Sequence, residues 1–244
     1  MLLLLTIMVN ISAQIKPITL DSSKSDYKTF KRLEFKKSLL FTIPLAGAGL
    51  FSMKYKKGYI DNKFTEERNE HFSKFGSKLD DYLAFAPTGI VGILDILKVP
   101  SRSSIGNQVL LFVKSELIMI GITKPLKKIT HRTRPGATNN ESFPSGHTAQ
   151  AFMGATLLHK EFREKSIWYT IGGYSIASSV GVYRVLNNKH YVSDVMVGAS
   201  IGILSTNLAY LSHKYRWGKK PNLEMTFIPT YQRNNYGFQM VCRF

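Results

Sequence analysis

Residues 127–194 decide the reading of this chain. They open with Lys127-Lys128-Ile129-Thr130-His131-Arg132-Thr133-Arg134-Pro135, continue with Pro144-Ser145-Gly146-His147, and close with Tyr183-Arg184, His190 and Asp194. Pro135 cannot continue a helix comfortably and holds Arg134 extended. That places Lys127 near the end of one helix and Arg134 on the loop after it. Pro144-Ser145-Gly146 precedes good helix formers from His147 to Met153, which is the pattern of a helix start. The free N–H groups and partial positive charge of a helix N-terminus suit an anion. Gly146 lets the backbone approach that anion closely, and Ser145 adds a hydroxyl donor.

These residue types in this order point to phosphate chemistry. A phosphoryl group in transfer spreads negative charge over its equatorial oxygens, so catalysis is mostly positioning and electrostatic stabilisation. Arg134 and Arg184 offer planar, permanently charged forks for this, and Lys127 offers a compact charge. His190 and Asp194 are four apart and share a face if the segment is helical. A carboxylate bonded to one ring nitrogen fixes the tautomer and leaves the other free to attack phosphorus. His147, in a first helical turn, faces the same anion as a candidate general acid. Each cluster alone reads as a turn or a salt-bridged face; the three together, at these spacings, read as a site. His131 falls at an unspecified position and is read as loop. His71, His159 and His213 sit beside charged residues and are read as surface.

The pattern K-x6-R-P, P-S-G-H and S-R-x5-H-x3-D resembles that of the phosphatidic acid phosphatase type 2 / vanadium haloperoxidase superfamily, with Tyr183 standing where the family usually has Ser. The helical framework extends the resemblance to about residues 38–215. The resemblance implies that His190 is the nucleophile and forms a phosphohistidine, that Asp194 orients it, and that His147 protonates the leaving group and then activates water. It implies phosphate binding by Lys127, Arg134, Ser145, Gly146 and Arg184, with no metal and no cofactor. The bacterial membrane branch acts on lipid phosphates: lipid A, undecaprenyl pyrophosphate, phosphatidylglycerol phosphate or phosphatidic acid. A soluble periplasmic acid phosphatase, a vanadate-dependent haloperoxidase and a non-catalytic lipid-binding protein are the other readings.

The chain has 244 residues, 44% of them hydrophobic, with a mean hydropathy of −0.08. That average hides segregation. Ser38–Met53, Tyr82–Leu94, Ser166–Tyr183 and Val195–Ser212 carry no charge, and small residues in such helices allow close packing in a bilayer. The expected fold is all-α, a six-helix transmembrane bundle with helices at about 38–54, 81–98, 105–124, 145–160, 167–186 and 192–213. Residues 1–37 form a signal-like segment and basic lead-in, 38–215 the helical phosphatase domain, and 216–244 a C-terminal extension. Within that extension, two short alternating runs around an Asn/Gly turn predict a β-hairpin.

The formal net charge is +17, from 33 Lys and Arg against 16 Asp and Glu. The basic residues do not line one face, as a nucleic-acid binder would have them. They gather at segment ends, in Lys16–Lys37, Lys98–Arg102, Lys160–Lys165 and Lys214–Lys220. With six spans all four clusters fall on one side, the positive-inside pattern, where they meet anionic membrane lipids. The motif loops then face outward, toward the periplasm of a bacterial inner membrane. A cleavable signal ending at Ala13 predicts the reverse orientation, and the agreement of four clusters outweighs it. Cys242 is the only cysteine, which excludes an intrachain disulfide.

Overall fold

A computed structural model describes residues 24–215, 224–232 and 235–243; the signal-like segment and the turn between the C-terminal strands lie outside them. The helices are α1 (Lys24–Lys54), α2 (Tyr59–Phe72), α3 (Leu79–Leu83), α4 (Ala86–Ile96), α5 (Ile105–Thr130), α6 (Gly146–Phe162), α7 (Ile167–Leu186) and α8 (Val192–Ser212). Strands β1 (Glu224–Gln232) and β2 (Asn235–Arg243) pair antiparallel, from Glu224 opposite Arg243 to Gln232 opposite Asn235. Helix α1 runs unbroken across the boundary expected at residue 37.

Helix α8 is central and packs against α1, α5 and α6, while α7 lies on α6. Its glycines make this possible. A Cβ on Gly202 would stand 2.2 Å from the Ala149 carbonyl oxygen, and one on Gly198 2.5 Å from that of Ser145. The backbones of α6 and α8 therefore touch. On the other side, a Cβ on Gly49 of α1 would meet Val197 and the Ser193 carbonyl. Two polar side chains of α8 turn back on their own helix: Ser205 donates to the Ile201 carbonyl at 2.7 Å and Asn207 to that of Ile203 at 2.8 Å. Such bonds let a polar helix be buried without orphaned donors. Apolar core fills the remaining space, with Leu111, Leu157, Leu158 and Phe162 in one cluster and Met119, Phe143, Met153 and Ile201 in another.

The two ends of the bundle differ in chemistry. Helix α6 starts at the Pro144-Ser145-Gly146 turn and ends beside the basic residues. There Glu34 of α1 gathers Arg163 at 2.9 Å, Arg102 at 3.2 Å and Lys160 at 3.4 Å. With 17 residues in α6, the ends are about 25 Å apart at 1.5 Å per residue.

Of the described helices, Val192–Ser212 is the one long and apolar enough to cross a membrane, and most of it is buried inside the protein. The other five expected spans do not meet that measure. Helix α4 has 11 residues and α6 has 17, short of the ~20 that cross a bilayer core. Helix α5 carries Lys114, Glu116 and Lys124. Many large apolar side chains nonetheless face outward, among them Leu40, Phe41 and Ile43 of α1, Ile93 and Ile96 of α4, Leu117 of α5 and Trp168 of α7.

Candidate active site

The three clusters converge where α6 and α8 begin and α5 and α7 end. Lys127 sits in the last turn of α5 and donates to the Glu141 carbonyl at 2.5 Å. Arg134 follows on the loop, as Pro135 dictates. Ser145 is the N-cap residue of α6; it is fully buried, and its hydroxyl pairs with that of Thr148 at 2.9 Å. A Cβ added to Gly146 meets nothing within 4 Å, so the space beside the helix N-terminus is open. His147 lies in the first turn, its Nε2 3.1 Å from Asp81 Oδ1. Arg184 ends α7 and is buried, its Nη1 donating to Asp80 Oδ2 at 2.8 Å.

Two buried donors in this region have no acceptor among the described residues: the Nε–H groups of Arg134 and Arg184. A buried N–H left unpaired is costly, so each such group calls for a partner. The Arg134 guanidinium pKa is lowered by burial and next by Arg184. Two cations that influence each other, each with a spare donor, are groups that an anion would satisfy.

His190 is 2% exposed and lies between α7 and α8. Here the structure adds Ser142 to the expected pair. Its Nδ1 is 2.7 Å from the Ser142 carbonyl oxygen and 3.7 Å from Asp194 Oδ2. Tyr191 is the N-cap residue of α8, so His190 stands just outside the helix, with the Asp194 carboxylate within ion-pair distance and the shorter contact going to Ser142. A carbonyl oxygen only accepts, so Nδ1 carries the proton and Nε2 keeps its lone pair. Burial, with Arg184 and Lys127 nearby, pushes the His190 pKa down to about 4. The ring is therefore neutral at pH 7, as a nucleophile requires.

Asp194 is buried and fully engaged. Its Oδ2 accepts from Ser142 Oγ at 2.5 Å and from the Tyr191 N–H at 3.0 Å, and its Oδ1 from Arg132 Nη1 at 2.6 Å.

Several members of this site were not singled out from the sequence: Asp61, Asp80, Asp81, Arg132 and Ser142. Asp80 and Asp81 act across more than a hundred residues of chain, and no local pattern marks them. Arg132 did carry a signal, lying two residues before Arg134 inside the first cluster. His131 is exposed at the C-terminal cap of α5, in keeping with a loop residue. His213, read as surface, is buried with Nε2 3.0 Å from Asn107 Oδ1, because the end of α8 packs on the start of α5. His159 is half-buried against Thr170. Among the described residues, the one grouping of histidine and carboxylates close enough to share a metal is Glu67, Glu70 and His71. It is exposed on α2, and the residues that converge near His190 are not part of it.

The site brings together arginines with buried donors, a helix N-terminus and a neutral histidine. The sequence model of the PAP2 superfamily matches residues 108–218, a stretch that contains all three clusters. In this segment the chain is similar to the PAP2 superfamily. Among curated proteins it is similar to a lipid A 1-phosphatase of Porphyromonas gingivalis, at 34% identity over 176 residues. That alignment covers 72% of this chain and 38% of the relative, so the chain spans well under half the relative's length. Two solved structures are similar. LpxE of Aquifex aeolicus is 24% identical over 59% of this chain and 92% of its own, with a TM-score of 0.45. A transmembrane PAP2-type phosphatidylglycerolphosphate phosphatase of Bacillus subtilis is 22% identical over 72% and 93%, with a TM-score of 0.46.

Proposed function

We propose that this protein is a membrane lipid phosphatase that hydrolyses a phosphate ester through a phosphohistidine. The observation that carries the reading is the pair of buried, unpartnered arginine donors beside a neutral histidine whose Nε2 is free. The substrate phosphate lies between Arg134 and Arg184, with Lys127 and the N-terminus of α6 at Ser145 and Gly146 completing the neutralisation. His190 Nε2 attacks phosphorus. The ester P–O bond breaks and the leaving oxygen takes a proton from His147. His147 then removes a proton from water, which attacks the phosphohistidine and releases inorganic phosphate and free His190. Phosphate neutralisation is supplied by cations of the chain itself, so the reaction is expected to run without a metal.

The lipid part of the reading rests on the outward apolar side chains and on a groove of about 290 Å³ between α1, α5 and α8, lined almost wholly by apolar atoms. The groove starts at Phe143 and Leu126, neighbours in sequence of Ser142 and Lys127, and runs along α8 from Val197 to Leu204. It suits an acyl chain. Filling it with Ala46→Phe is expected to slow hydrolysis of a long-chain lipid phosphate by about tenfold, the loss of ~1.4 kcal/mol of apolar contact. Hydrolysis of p-nitrophenyl phosphate should be unchanged, and equal losses on both substrates would contradict an acyl-chain groove. Similarity to a lipid A 1-phosphatase favours a lipid A phosphate as the substrate. The clustering of Arg102, Lys160 and Arg163 at the far end of the bundle supports six spans with that end in the cytoplasm and the site facing the periplasm. The test is phosphate release by detergent-purified protein from lipid A, undecaprenyl pyrophosphate, phosphatidic acid, phosphatidylglycerol phosphate and p-nitrophenyl phosphate. Activity on one lipid supports the reading, and activity on the soluble ester alone replaces it with a general acid phosphatase.

Asp81 gives a further expectation. Its half-exposed carboxylate touches His147 at 3.1 Å and Arg184 at 3.2 Å, with Lys189 at 3.8 Å. It therefore shares these positive groups with an incoming phosphate and repels it. Asp81→Asn should lower the inhibition constant for vanadate by roughly three- to tenfold, the size of one screened charge at close range. An unchanged constant would remove Asp81 from the phosphate site.

A further inference from the structure

Arg132 stands two residues before Arg134 and is not among the cations assigned to phosphate, yet its guanidinium is the hub of a closed network. Nη1 donates to Asp194 Oδ1 and to Ser193 Oγ, both at 2.6 Å. Nη2 donates to Asp61 Oδ2 at 2.7 Å. The guanidinium carbon lies 4.1 Å from the centre of the Tyr191 ring. The Arg132 carbonyl accepts from the Ser142 N–H at 2.9 Å, and Ser142 in turn holds both partners of the pair, His190 through its carbonyl and Asp194 through its hydroxyl. Asp61, 1% exposed on α2, is fixed by the Ser193 N–H at 3.0 Å, by Ser193 Oγ at 2.5 Å and by Ser52 Oγ at 3.2 Å.

We infer that Arg132, anchored by Asp61, is a positioning residue for the reaction: its fork holds the Asp194 carboxylate in place beside His190, and Asp61 keeps that fork from turning to the phosphate. The inference rests on the reading of His190 as nucleophile. Only a planar fork bridges two carboxylates on different helices in this way, and an ammonium offers no such geometry. Both Nη groups of Arg132 are spent on carboxylates, which distinguishes it from Arg134 and Arg184 with their spare donors. The chain Asp61–Arg132–Asp194 also explains why α2, a mixed-charge helix that contributes no other buried residue, is tied to the start of α8.

The test uses the full chain in detergent, with p-nitrophenyl phosphate and a short-chain phosphatidic acid as probes and vanadate as the reporter of the phosphate cradle. Arg132→Gln is expected to lower kcat by about 10- to 100-fold, as loss of an orienting partner does elsewhere. The vanadate inhibition constant should stay within about twofold. The acid limb of kcat/KM should move to higher pH, because protonating the pair becomes easier once a cation is removed. The other charged groups near the pair, Lys127, Arg134, Arg184 and Asp61, are unchanged in that variant. Arg132→Lys should recover part of the charge effect on the pH limb and little of kcat. Asp61→Asn, which leaves Arg132 in place, should also lower kcat. Rates are taken per site that becomes phosphorylated in a rapid burst, so unfolded enzyme does not count. Wild-type kcat and acid limb per active site in Arg132→Gln would overturn the inference, as would a vanadate constant that rises in step with KM, the mark of a direct phosphate ligand. Wild-type protein silent on both probes would instead overturn the phosphatase reading beneath it.

Discussion

Replacing His190 by alanine is expected to abolish phosphate release, by about 10⁴-fold or more, since removal of a covalent nucleophile leaves only the contribution of the binding cradle. The ring is buried, its Nε2 is the free nitrogen, and no other histidine in the site has its Nδ1 fixed on a backbone carbonyl in this way. The fold should survive, because one hydrogen bond and a small cavity typically cost a few kcal/mol at most. Vanadate binding should persist for the same reason, since Arg134, Arg184 and Lys127 remain. Residual turnover above about 1% on the best substrate would argue against His190 as nucleophile.

The second large effect is structural. Gly202→Ala is expected to cost about 3–5 kcal/mol, beyond ordinary overpacking, because the added carbon meets backbone and no side chain can swing aside. It would lie 2.2 Å from the Ala149 carbonyl oxygen and 2.8 Å from the Met153 nitrogen. Helices α6 and α8 must then separate, and α6 carries Ser145 and His147 while α8 carries Asp194. Thermal unfolding in detergent reads the loss directly. An unchanged midpoint would show that the two helices do not touch at this point. Gly198→Ala applies the same wedge at the Ser145 carbonyl, one helical turn nearer the site, and is expected to cost activity in greater proportion than stability.

The elements that carry local signals were legible in the sequence. The Pro144-Ser145-Gly146 turn announces α6, which begins at Gly146, and the uncharged run before Arg184 matches α7. Two helices exceed their expected limits for identifiable reasons. Pro125 marks the end of the apolar pattern in α5, but the helix continues to Thr130 because that end is tethered: Thr130 bonds the Phe143 carbonyl and Lys127 that of Glu141. Helix α1 begins at Lys24, where no apolar periodicity announces it, and Glu34 ties this charged half to Arg102, Lys160 and Arg163.

What sequence could not supply is the set of partners that hold the site residues. Arg184 was visible, but its partner Asp80 lies 104 residues away. Asp194 and its place near His190 were visible, and the ring does lie within ion-pair distance of the carboxylate. The spacing did not show that the N-cap at Tyr191 sets His190 just outside α8, where Ser142 makes the shorter contact. Membrane placement shows the same limit: α4 and α6 are short, α5 carries charge, and the burial of helices against one another cannot be read from composition.

The most direct measurement of the central claim is to trap the phosphoenzyme. Detergent-purified protein is mixed with a radiolabelled lipid phosphate, quenched within milliseconds in alkali, digested and mapped. The account predicts label on His190 that survives base and is lost in acid, as a phosphoramidate should be, with no label in His190→Ala and label that accumulates when His147→Ala slows hydrolysis. Phosphate released at full rate with no labelled histidine at any quench time would contradict it and point to direct attack by water.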